Sequence, residues 1–462
     1  MPNPNTRSQF TKALTFVNLK GIPGPRNWAF YQYTKFFQKD ILAAFTQVHL
    51  DYGDIGSFPW PMNSVIIYSP EMIKRVLVDQ NKKYIKGEQI EELRAVVGNG
   101  LATNNDYNSW VRNRSIVSKE FNSKAIQLTM NDIHLLIQEK IHNWKNHEHI
   151  KVDICEEMKH LTFIIACQIF LGKRFSEEEA KKVNAAVHFT SIVTYERIFQ
   201  LFPLPYWLPN DKNKTFDQHF NFLNDLVLGL IREEKLRGQN SKPKSILERL
   251  VHAIDEETKS QLSEDELRDE VLTMMLAGHE TSAHSLAWTL GLIAKHPQYQ
   301  ERLREEIFKL DPNDLSLEKI LGLTFLQNII KESMRLYPAF PVLSRKAKDD
   351  DTLGHYQIQK DTNVVIPIYV LQRSEKYFQE PLVFNPDRFL DGTIEKNYTF
   401  LPFSRGPRRC VAEQFALLEM SLVIIEILRN FEIQLQEKDL PKEVASVSLK
   451  PDGAFIVKLI RR

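Results

Sequence analysis

The distribution of apolar and polar positions predicts a chain that is mostly helical, with a few short strands. From about Ser109 to Gly238 the apolar positions recur almost wholly at helical spacing. Alternating residues at 55–58 and 65–68 predict a pair of strands, and two further short strands are predicted at 356–359 and 364–368. The expected fold class is therefore mainly α with a small β-rich lobe.

Local signals mark where some of these elements begin and turn. Ser263-Glu264-Asp265-Glu266 is a capping box, and it predicts the start of the longest helix, which runs to about Lys295. Pro451-Asp452-Gly453 predicts a hairpin turn between strands at 447–449 and 455–459.

Composition places the chain among ordinary globular proteins. It has 462 residues, of which 43% are hydrophobic and 26% charged, and its net charge is +1, so no global field favours nucleic acid. A stiff turn at Gly21-Ile22-Pro23-Gly24-Pro25 separates a basic N-terminal arm, residues 1–20, from the rest. We predict that residues 21–462 form a single domain.

Cysteine use and hydropathy bear on the compartment. The three cysteines, Cys155, Cys167 and Cys410, give no disulfide framework and fit a reducing compartment. No run of about 18 apolar residues predicts a transmembrane helix. The start of the chain is basic and free of acidic residues before Asp40. It is either a short arm on a cytoplasmic protein, which we favour, or a transit peptide for organellar import.

A lone cysteine ends the tight, strongly basic loop Phe403-Ser404-Arg405-Gly406-Pro407-Arg408-Arg409-Cys410, and an apolar helix is predicted from Val411 to Leu428. A cysteine at a helix N-terminus beside arginines has its thiolate stabilised by the helix dipole and the cationic neighbours. That environment suits a nucleophile or a metal ligand. No second cysteine lies nearby in the sequence, so a zinc or iron–sulfur ligand set does not assemble here.

The middle of the longest predicted helix carries Ala277-Gly278-His279-Glu280-Thr281. A central glycine followed by threonine weakens the helical ladder, because the threonine hydroxyl competes for a backbone carbonyl. The segment is either a tolerated kink or a groove opened for a ligand, with an acid and an alcohol side by side. His279 and His284 lie roughly 140° apart around the helix axis, so they do not face a common metal ion.

The cysteine loop and the helix segment together resemble a known family. Phe403, Gly406, Arg408 and Cys410 fit F-x-x-G-x-R-x-C, the haem-binding loop of the haem-thiolate monooxygenases, the cytochrome P-450 superfamily. The segment 277–281 matches that family's A-G-x-[D/E]-T signature without a departure.

Three weaker motifs occur in the family's order and extend the resemblance. Trp110 and Arg114 match its W-x-x-x-R helix, and Glu332 and Arg335 match its E-x-x-R pair. Arg388 lies in a segment similar to its P-[E/D]-R-F element. The resemblance thus covers the chain from about residue 21 onward.

Two positions depart from the family pattern. Ala412 stands where the family usually has glycine, and alanine is the mildest replacement for it. Gln372-Arg373 stands where the family commonly has His-Arg, and the sequence offers no interpretation of this change.

The resemblance implies a cytochrome P-450 fold that holds haem b between the long central helix and the cysteine loop. Cys410 would be the axial ligand of the haem iron, and Glu280 and Thr281 would be the catalytic residues that deliver protons during oxygen activation. The other residues implied at the cofactor are Trp110, Arg114, Arg345 and Arg408, which would hold the propionates, with Phe403, Gly406, Ala277 and Gly278. Glu332, Arg335 and Arg388 would form a buried structural triad that locks the cysteine loop.

The implied reaction inserts one atom of O2 into an apolar organic substrate, such as a fatty acid, a terpene or a steroid-like molecule. The chain shows no flavin or iron–sulfur domain, so a separate ferredoxin or flavodoxin-type protein is the expected electron donor. Arg112, Arg405 and Arg409 would put positive charge on its docking face. The loop 201–209 corresponds to the family's lid over the substrate channel and would allow a weak membrane-surface contact. The protein is expected to be a monomer.

Two rival functions stay open at this point. One is a haem-thiolate enzyme that takes peroxide directly or rearranges a hydroperoxide, and the intact Glu280-Thr281 pair argues against it. The other is a haem-based sensor or binding protein without turnover, which oxygen-dependent consumption of a reductant would exclude.

Overall fold

The computed structural model describes residues 17–59, 61–198, 200, 204–237, 245–312 and 314–462. Residues 1–16 of the predicted arm and residues 201–203 of the predicted lid lie outside this part. The α-helices are α1 Asn27–Lys39, α2 Ile41–Tyr52, α3 Pro70–Lys74, α4 Glu88–Val97, α5 Tyr107–Lys119, α6 Ser123–Lys145, α7 Ile154–Ala166, α8 Glu177–Ile198, α9 Asp211–Arg237, α10 Ile246–His252, α11 Glu264–Gly278, α12 Glu280–Lys295, α13 Pro297–Phe308, α14 Leu317–Leu321, α15 Thr324–Leu336, α16 Ile368–Leu371 and α17 Glu413–Asn430.

Short strands form small sheets beside the helices. The strands are β1 Ile55–Phe58, β2 Ser64–Ile67, β3 Tyr84–Lys86, β4 His149–Asp153, β5 Leu343–Ala347, β6 Asp351–Leu353, β7 Tyr356–Ile358, β8 Asn363–Ile366, β9 Phe431–Leu435, β10 Glu443–Ala445, β11 Leu449–Pro451 and β12 Ile456–Arg461. A five-stranded sheet has the order β1-β2-β8-β5-β3, and a three-stranded sheet has the order β4-β12-β9. The predicted fold class, mainly α with a β-rich part, is confirmed.

The strand pair predicted near the start of the chain is confirmed as β1 and β2. They are antiparallel, with Ile55 opposite Ile67 and Phe58 opposite Ser64. Every residue of both strands is buried; α2 packs against β1, and β8 continues the sheet beyond β2. None of the described helices is long and apolar enough to cross a membrane.

One prediction about strands is incomplete and another is wrong. The segment predicted to be almost wholly helical also contains β4, which pairs with β12 near the C-terminus. The predicted C-terminal hairpin does not form, because β11 pairs with β10 while β12 lies between β4 and β9. Val457 and Leu459 of β12 are fully buried, and a central position in a sheet provides that burial better than a two-stranded hairpin does.

The predicted long helix begins as expected but is divided in two. The Ser263 side chain accepts from the Glu266 backbone N–H, and the Glu266 side chain accepts from the Ser263 N–H, which confirms the capping box. The helix is interrupted at His279, between α11 and α12. The prediction of one continuous helix to about Lys295 is therefore wrong.

Two helices pass through the centre of the helical part. In α12, residues 282–294 are all buried, and in α17 residues 418–428 are all buried. A helix that is buried on every face belongs in the middle of a large core, where other elements cover it. The break at His279 and the loop before α17 are therefore held at the ends of two rigid, buried elements.

Candidate active site

The cysteine loop is a tight turn whose shape depends on Gly406. Ser404 and Gly406 both have positive φ, 61° and 76°. A Cβ on Gly406 would lie 2.0 Å from the carbonyl oxygen of Leu77, so only glycine fits against that backbone. The loop closes where the Cys410 N–H donates to the Phe403 carbonyl at 2.9 Å.

The thiol of Cys410 is accessible yet deep within the protein. Cys410 has accessible surface, but protein atoms surround its thiol, and this burial raises the pKa of the thiol above the usual value. A hydrogen bond from the Ala412 N–H and the charges of Arg114 and Arg409 act in the opposite direction but do not outweigh burial. The expected stabilisation of the thiolate by the helix end and the arginines is present, but burial outweighs it. A bound metal cation would deprotonate a coordinating thiol outright.

Four cations gather beside this thiol, and we call Lys86, Arg114, Arg345 and Arg408 the basic cluster. Lys86 of β3 lies directly opposite Arg345 of β5 in the antiparallel pairing. Burial, and then the charges of Arg345, Arg408 and Arg114, lower the pKa of Lys86 well below its usual range. Burial and Arg408 lower the pKa of Arg345 to about 10. Like charges opposite each other in a sheet repel, so this arrangement calls for an anion.

No carboxylate whose side chain the structure describes lies within ion-pair distance of the basic cluster. The cluster is held instead by backbone carbonyls: Arg408 donates to Asn104 O at 2.9 Å, and Arg114 donates to Arg409 O at 2.8 Å. Arg345 donates to Ser344 O at 2.8 Å. The positive charge of the cluster is thus oriented by the protein but left without a described counter-charge.

Trp110 packs against two members of the basic cluster. It is buried, and the guanidinium carbons of Arg408 and Arg114 lie 4.3 Å and 5.7 Å from its ring centroid. The structure therefore brings Trp110, Arg114, Arg345 and Arg408 together as the sequence motifs predict. Lys86 was missed, because the only signal for it is a strand register that joins residues far apart in the sequence.

The break between α11 and α12 is built from the predicted signature. Thr281 Oγ1 donates to the Ala277 carbonyl at 2.7 Å, which confirms the competition for a backbone acceptor. Ala277 is exposed although residues 271–276 of the same helix are all buried, so the helix presents accessible surface at this point. A Cβ on Gly278 would lie 2.6 Å from the ring of Phe170, which explains the small residue there.

Glu280 is buried beside the break and points toward α8. Its Oε1 accepts from His188 Nδ1 at 3.3 Å. Burial raises the pKa of Glu280, but the bond from His188 and the fields of His279 and His284 together lower it below the usual value. Thr281 and Glu280 are both described by the structure, and it records no direct hydrogen bond between their side chains. The acid and the alcohol are neighbours that reach in different directions.

The two histidines near the break have separate partners. His279 Nδ1 donates to Met275 O at 2.8 Å, and His284 Nδ1 bonds to Ser448 Oγ at 2.6 Å. Among the described residues no group of three metal-ligating side chains occurs, in this region or elsewhere.

Glu332, Arg335 and Arg388 form a buried network. The guanidinium of Arg335 donates twice to the Glu332 carboxylate, at 2.6 and 2.8 Å, and both side chains are fully buried. Arg388 Nε donates to the same carboxylate at 3.4 Å. Arg335 also donates to the carbonyls of Gln372 and Pro381, each at 2.7 Å. The network thereby fastens α15 to the segment that leads toward the cysteine loop.

Two of the three arginines expected to form a positive docking face have acidic partners. Arg112 pairs with Glu266, and Arg409 lies 3.2 Å from Glu413. Arg405 donates to the Glu395 carbonyl. Arg112 and Arg409 therefore add less net positive charge to the expected docking face than the sequence alone suggests, while Arg405 meets only a neutral carbonyl.

Comparison with known proteins shows which family has this fold and this site. The family model described as Cytochrome P450 matches residues 22–458. "Cytochrome P450 4V2" of Mus musculus is 26% identical over 471 residues, covering 95% of this chain and 86% of its own length. "Cytochrome P450 4c3" of Drosophila melanogaster is 28% identical, covering 86% of this chain and 80% of its own. "Cytochrome P450 97B2, chloroplastic" of Glycine max is 26% identical, with 86% and 79% covered.

The mainly helical fold and these matches define the class as a haem-thiolate oxidoreductase. The chain belongs to the cytochrome P450 family, and it is a monooxygenase whose cofactor is haem b. The residues present fit that cofactor: a sulfur donor lies beside four cations that lack a described counter-charge, and haem b carries two propionates.

Proposed function

We propose that Cys410 is the axial ligand of the haem iron and that the basic cluster, with Trp110, binds the two propionates. The observation that carries this proposal is the set of four cations beside one accessible thiol, with no described carboxylate to neutralise them. Phe403 and Gly406 set the position of the thiol through the loop. Ala277 and Gly278 would face the cofactor on its other side, where the helix surface is accessible. When bound, the haem activates O2 and carries the electrons.

We infer that Thr281 and Glu280 manage protons at the helix break. The Thr281 hydroxyl donates to Ala277 O and retains lone pairs that can accept a further hydrogen bond. The carboxylate of Glu280 is held by His188, which is half-exposed, so the acid connects the buried break with the surface. The pair would thus hold and pass protons at the oxygen-binding side while the surrounding buried residues exclude water.

The proposed substrate is an apolar organic molecule of the size of a fatty acid, a terpene or a steroid. Three segments meet along α12: the Leu449 N–H donates to Ala339 O at 3.0 Å, and Trp288 of α12 donates to Leu449 O at 2.9 Å. Phe340, next to Ala339, is 37% exposed. These contacts support a largely apolar pocket wall, and a spectral binding screen against the three compound classes tests it.

The proposed electron donor is a separate ferredoxin or flavodoxin-type protein that approaches the side of the cysteine loop. Since Arg112 and Arg409 have acidic partners, charge steering there is expected to be weak. Stopped-flow reduction by such a donor tests this. A rate that falls steeply with added salt, and further in Arg409→Glu with its haem spectrum unchanged, would show stronger steering than the structure supports.

The proposed environment is a reducing compartment, the cytoplasm, because the three cysteines are all unpaired. Leu204 and Trp207 of the lid are each 58% exposed, which supports a weak contact with a membrane surface. Binding of the purified protein to vesicles, compared with Trp207→Ser, measures that contact.

The decisive experiment addresses the sulfur ligand. The reduced carbon monoxide complex should show the strongly red-shifted Soret band of haem-thiolate proteins, and Cys410→His should abolish it while haem is retained. Cys155→Ala changes a buried cysteine elsewhere and serves as the matched control. An unchanged spectrum in Cys410→His would refute the assignment. Consumption of O2 and a reductant with formation of hydroxylated product excludes both the peroxide-driven enzyme and the sensor without turnover.

A further inference from the structure

Gln372 is the position at which this chain departs from the His-Arg that the family commonly has. It follows α16 directly and its side chain is fully buried. A buried amide without partners would be costly, so its contacts define what it does.

Three hydrogen bonds join the Gln372 side-chain amide to backbone groups. Nε2 donates to the carbonyls of Met334 and Arg335, each at 3.0 Å. Oε1 accepts from the Leu401 N–H at 2.8 Å. Met334 and Arg335 lie in the last turn of α15, where carbonyl groups have no partner within the helix. The Gln372 side chain therefore caps the end of α15 and also binds the backbone of Leu401, which lies far from α15 in the sequence.

Leu401 leads straight into the cysteine loop. Its carbonyl accepts from the Ser404 N–H at 3.1 Å, and the Phe403 carbonyl accepts from the Cys410 N–H at 2.9 Å. Leu401 is itself fully buried. A continuous series of hydrogen bonds thus runs from the end of α15, through Gln372, to the backbone that carries the thiol.

The buried ion pair and Gln372 act on the same helix end from two sides. Arg335 donates to the backbone carbonyl of Gln372 at 2.7 Å, while the Gln372 side chain donates to the backbone carbonyl of Arg335. This reciprocal contact fixes the distance between α15 and the residue after α16. The Leu401 contact then extends that fixed frame to the loop, which the Glu332–Arg335 pair does not touch directly.

Only an amide side chain can make this set of contacts in this geometry. It offers two N–H donors and a carbonyl acceptor, whereas a neutral imidazole offers one donor and one acceptor, and a carboxylate only accepts. We propose that Gln372 is a positioning residue that sets the place of Cys410 relative to α15 through Leu401. This inference rests on the proposed role of Cys410 as the iron ligand.

The test replaces Gln372 and, as a matched control, Gln300. Gln300 is also buried, and its amide also bonds to backbone, donating to Ile433 O at 3.0 Å and accepting from Ile433 N–H at 2.8 Å. It lies in α13 against β9, away from the cysteine loop. Gln372→Met and Gln300→Met remove the bonds with little change in volume, and Gln372→Glu and Gln300→Glu are the second pair should a methionine variant fail to fold.

Haem-loaded protein is reduced under carbon monoxide, and the ratio of thiolate-ligated to other haem is read from the Soret bands, beside urea unfolding of each variant. In the Gln372 variants we expect this ratio to fall by about tenfold or more, since each loses at least two hydrogen bonds of ordinary strength. In the Gln300 variants we expect a similar loss of stability with an unchanged ratio.

The outcomes separate this inference from the proposed function. A wild-type protein without the thiolate band, or Cys410→His with it, refutes the ligand assignment. If those two behave as proposed and the Gln372 variants keep the wild-type ratio, with stability lowered as in the Gln300 variants, the positioning role is overturned and Gln372 is structural only.

Discussion

Removing the carboxylate of Glu332 should lower the free energy of unfolding more than almost any other single change outside the apolar core. The change Glu332→Ala leaves the guanidinium of Arg335 without the partner it now meets at 2.6 and 2.8 Å. It also removes the acceptor for Arg388 Nε and for the Asn385 N–H, at 3.4 and 3.0 Å. Three residues thus lose a shared partner, and for Arg335 the loss occurs where both side chains are fully buried.

The magnitude follows from the burial of this pair. Both side chains are 0% exposed, and breaking such a buried pair typically costs about 3–5 kcal/mol, because one charge is left uncompensated. Total stability of a folded domain is about 5–15 kcal/mol, so the loss is a large part of it. Arg335 would keep its bonds to the Gln372 and Pro381 carbonyls, which limits the loss to this range.

Urea unfolding followed by circular dichroism measures this difference, with haem retention as a second readout. The matched control is Glu139→Ala, which removes the acid from the exposed Arg174–Glu139 pair at 2.9 Å, where a change of about 0–1 kcal/mol is expected. Equal unfolding midpoints for Glu332→Ala and Glu139→Ala would refute the reasoning, since burial would then make no difference.

Three further predictions address the site and the core. Thr281→Ala should bind substrate normally and consume reductant but release mostly peroxide, measured as the ratio of product to reductant; full coupling would show that the hydroxyl has no role in proton handling. Lys86→Met should weaken haem binding about ten- to a hundredfold, the worth of one hydrogen bond to a charged group, yet raise the Tm of the haem-free protein by removing repulsion from Arg345; changes of the same sign would contradict this. Burial raises the pKa of Glu419 from 4.5 to about 8, so stability should fall as pH rises between those values, while Glu419→Gln should flatten that dependence in urea titrations; parallel curves would exclude Glu419 as the cause.

Local interactions are what the sequence by itself determined. The capping box at Ser263 and Glu266 spans three residues, and the bond from Thr281 to Ala277 spans four, so each can be recognised in a short segment. The turn of the cysteine loop belongs to the same class, because its closing bond joins Phe403 and Cys410. These contacts need only the backbone geometry of one element, and therefore the motif spacing alone predicts them.

The tertiary structure alone decided which distant residues meet. Lys86 faces Arg345 only because β3 pairs with β5, and Arg112 meets Glu266 across 154 residues of sequence. The direction of the pKa shift of Cys410 likewise depends on burial by segments that fold around it, which outweighs the local helix end and arginines.

Dependence on contacts between distant residues also explains why the sequence did not predict the broken helix, the C-terminal strand pairing or the contacts of Gln372. Periodicity predicts a helix through His279, but the structure interrupts it there, and the His279 carbonyl accepts both from the Ala283 N–H at 2.9 Å and from the distant Thr162 hydroxyl of α7 at 3.0 Å. The turn at 451–453 can be predicted from its own residues, whereas the strands that pair with β12 lie elsewhere in the sequence. A sequence pattern records what each residue prefers locally; pairing, burial and charge compensation arise only when the chain closes on itself, because their energies depend on distances that no short segment contains.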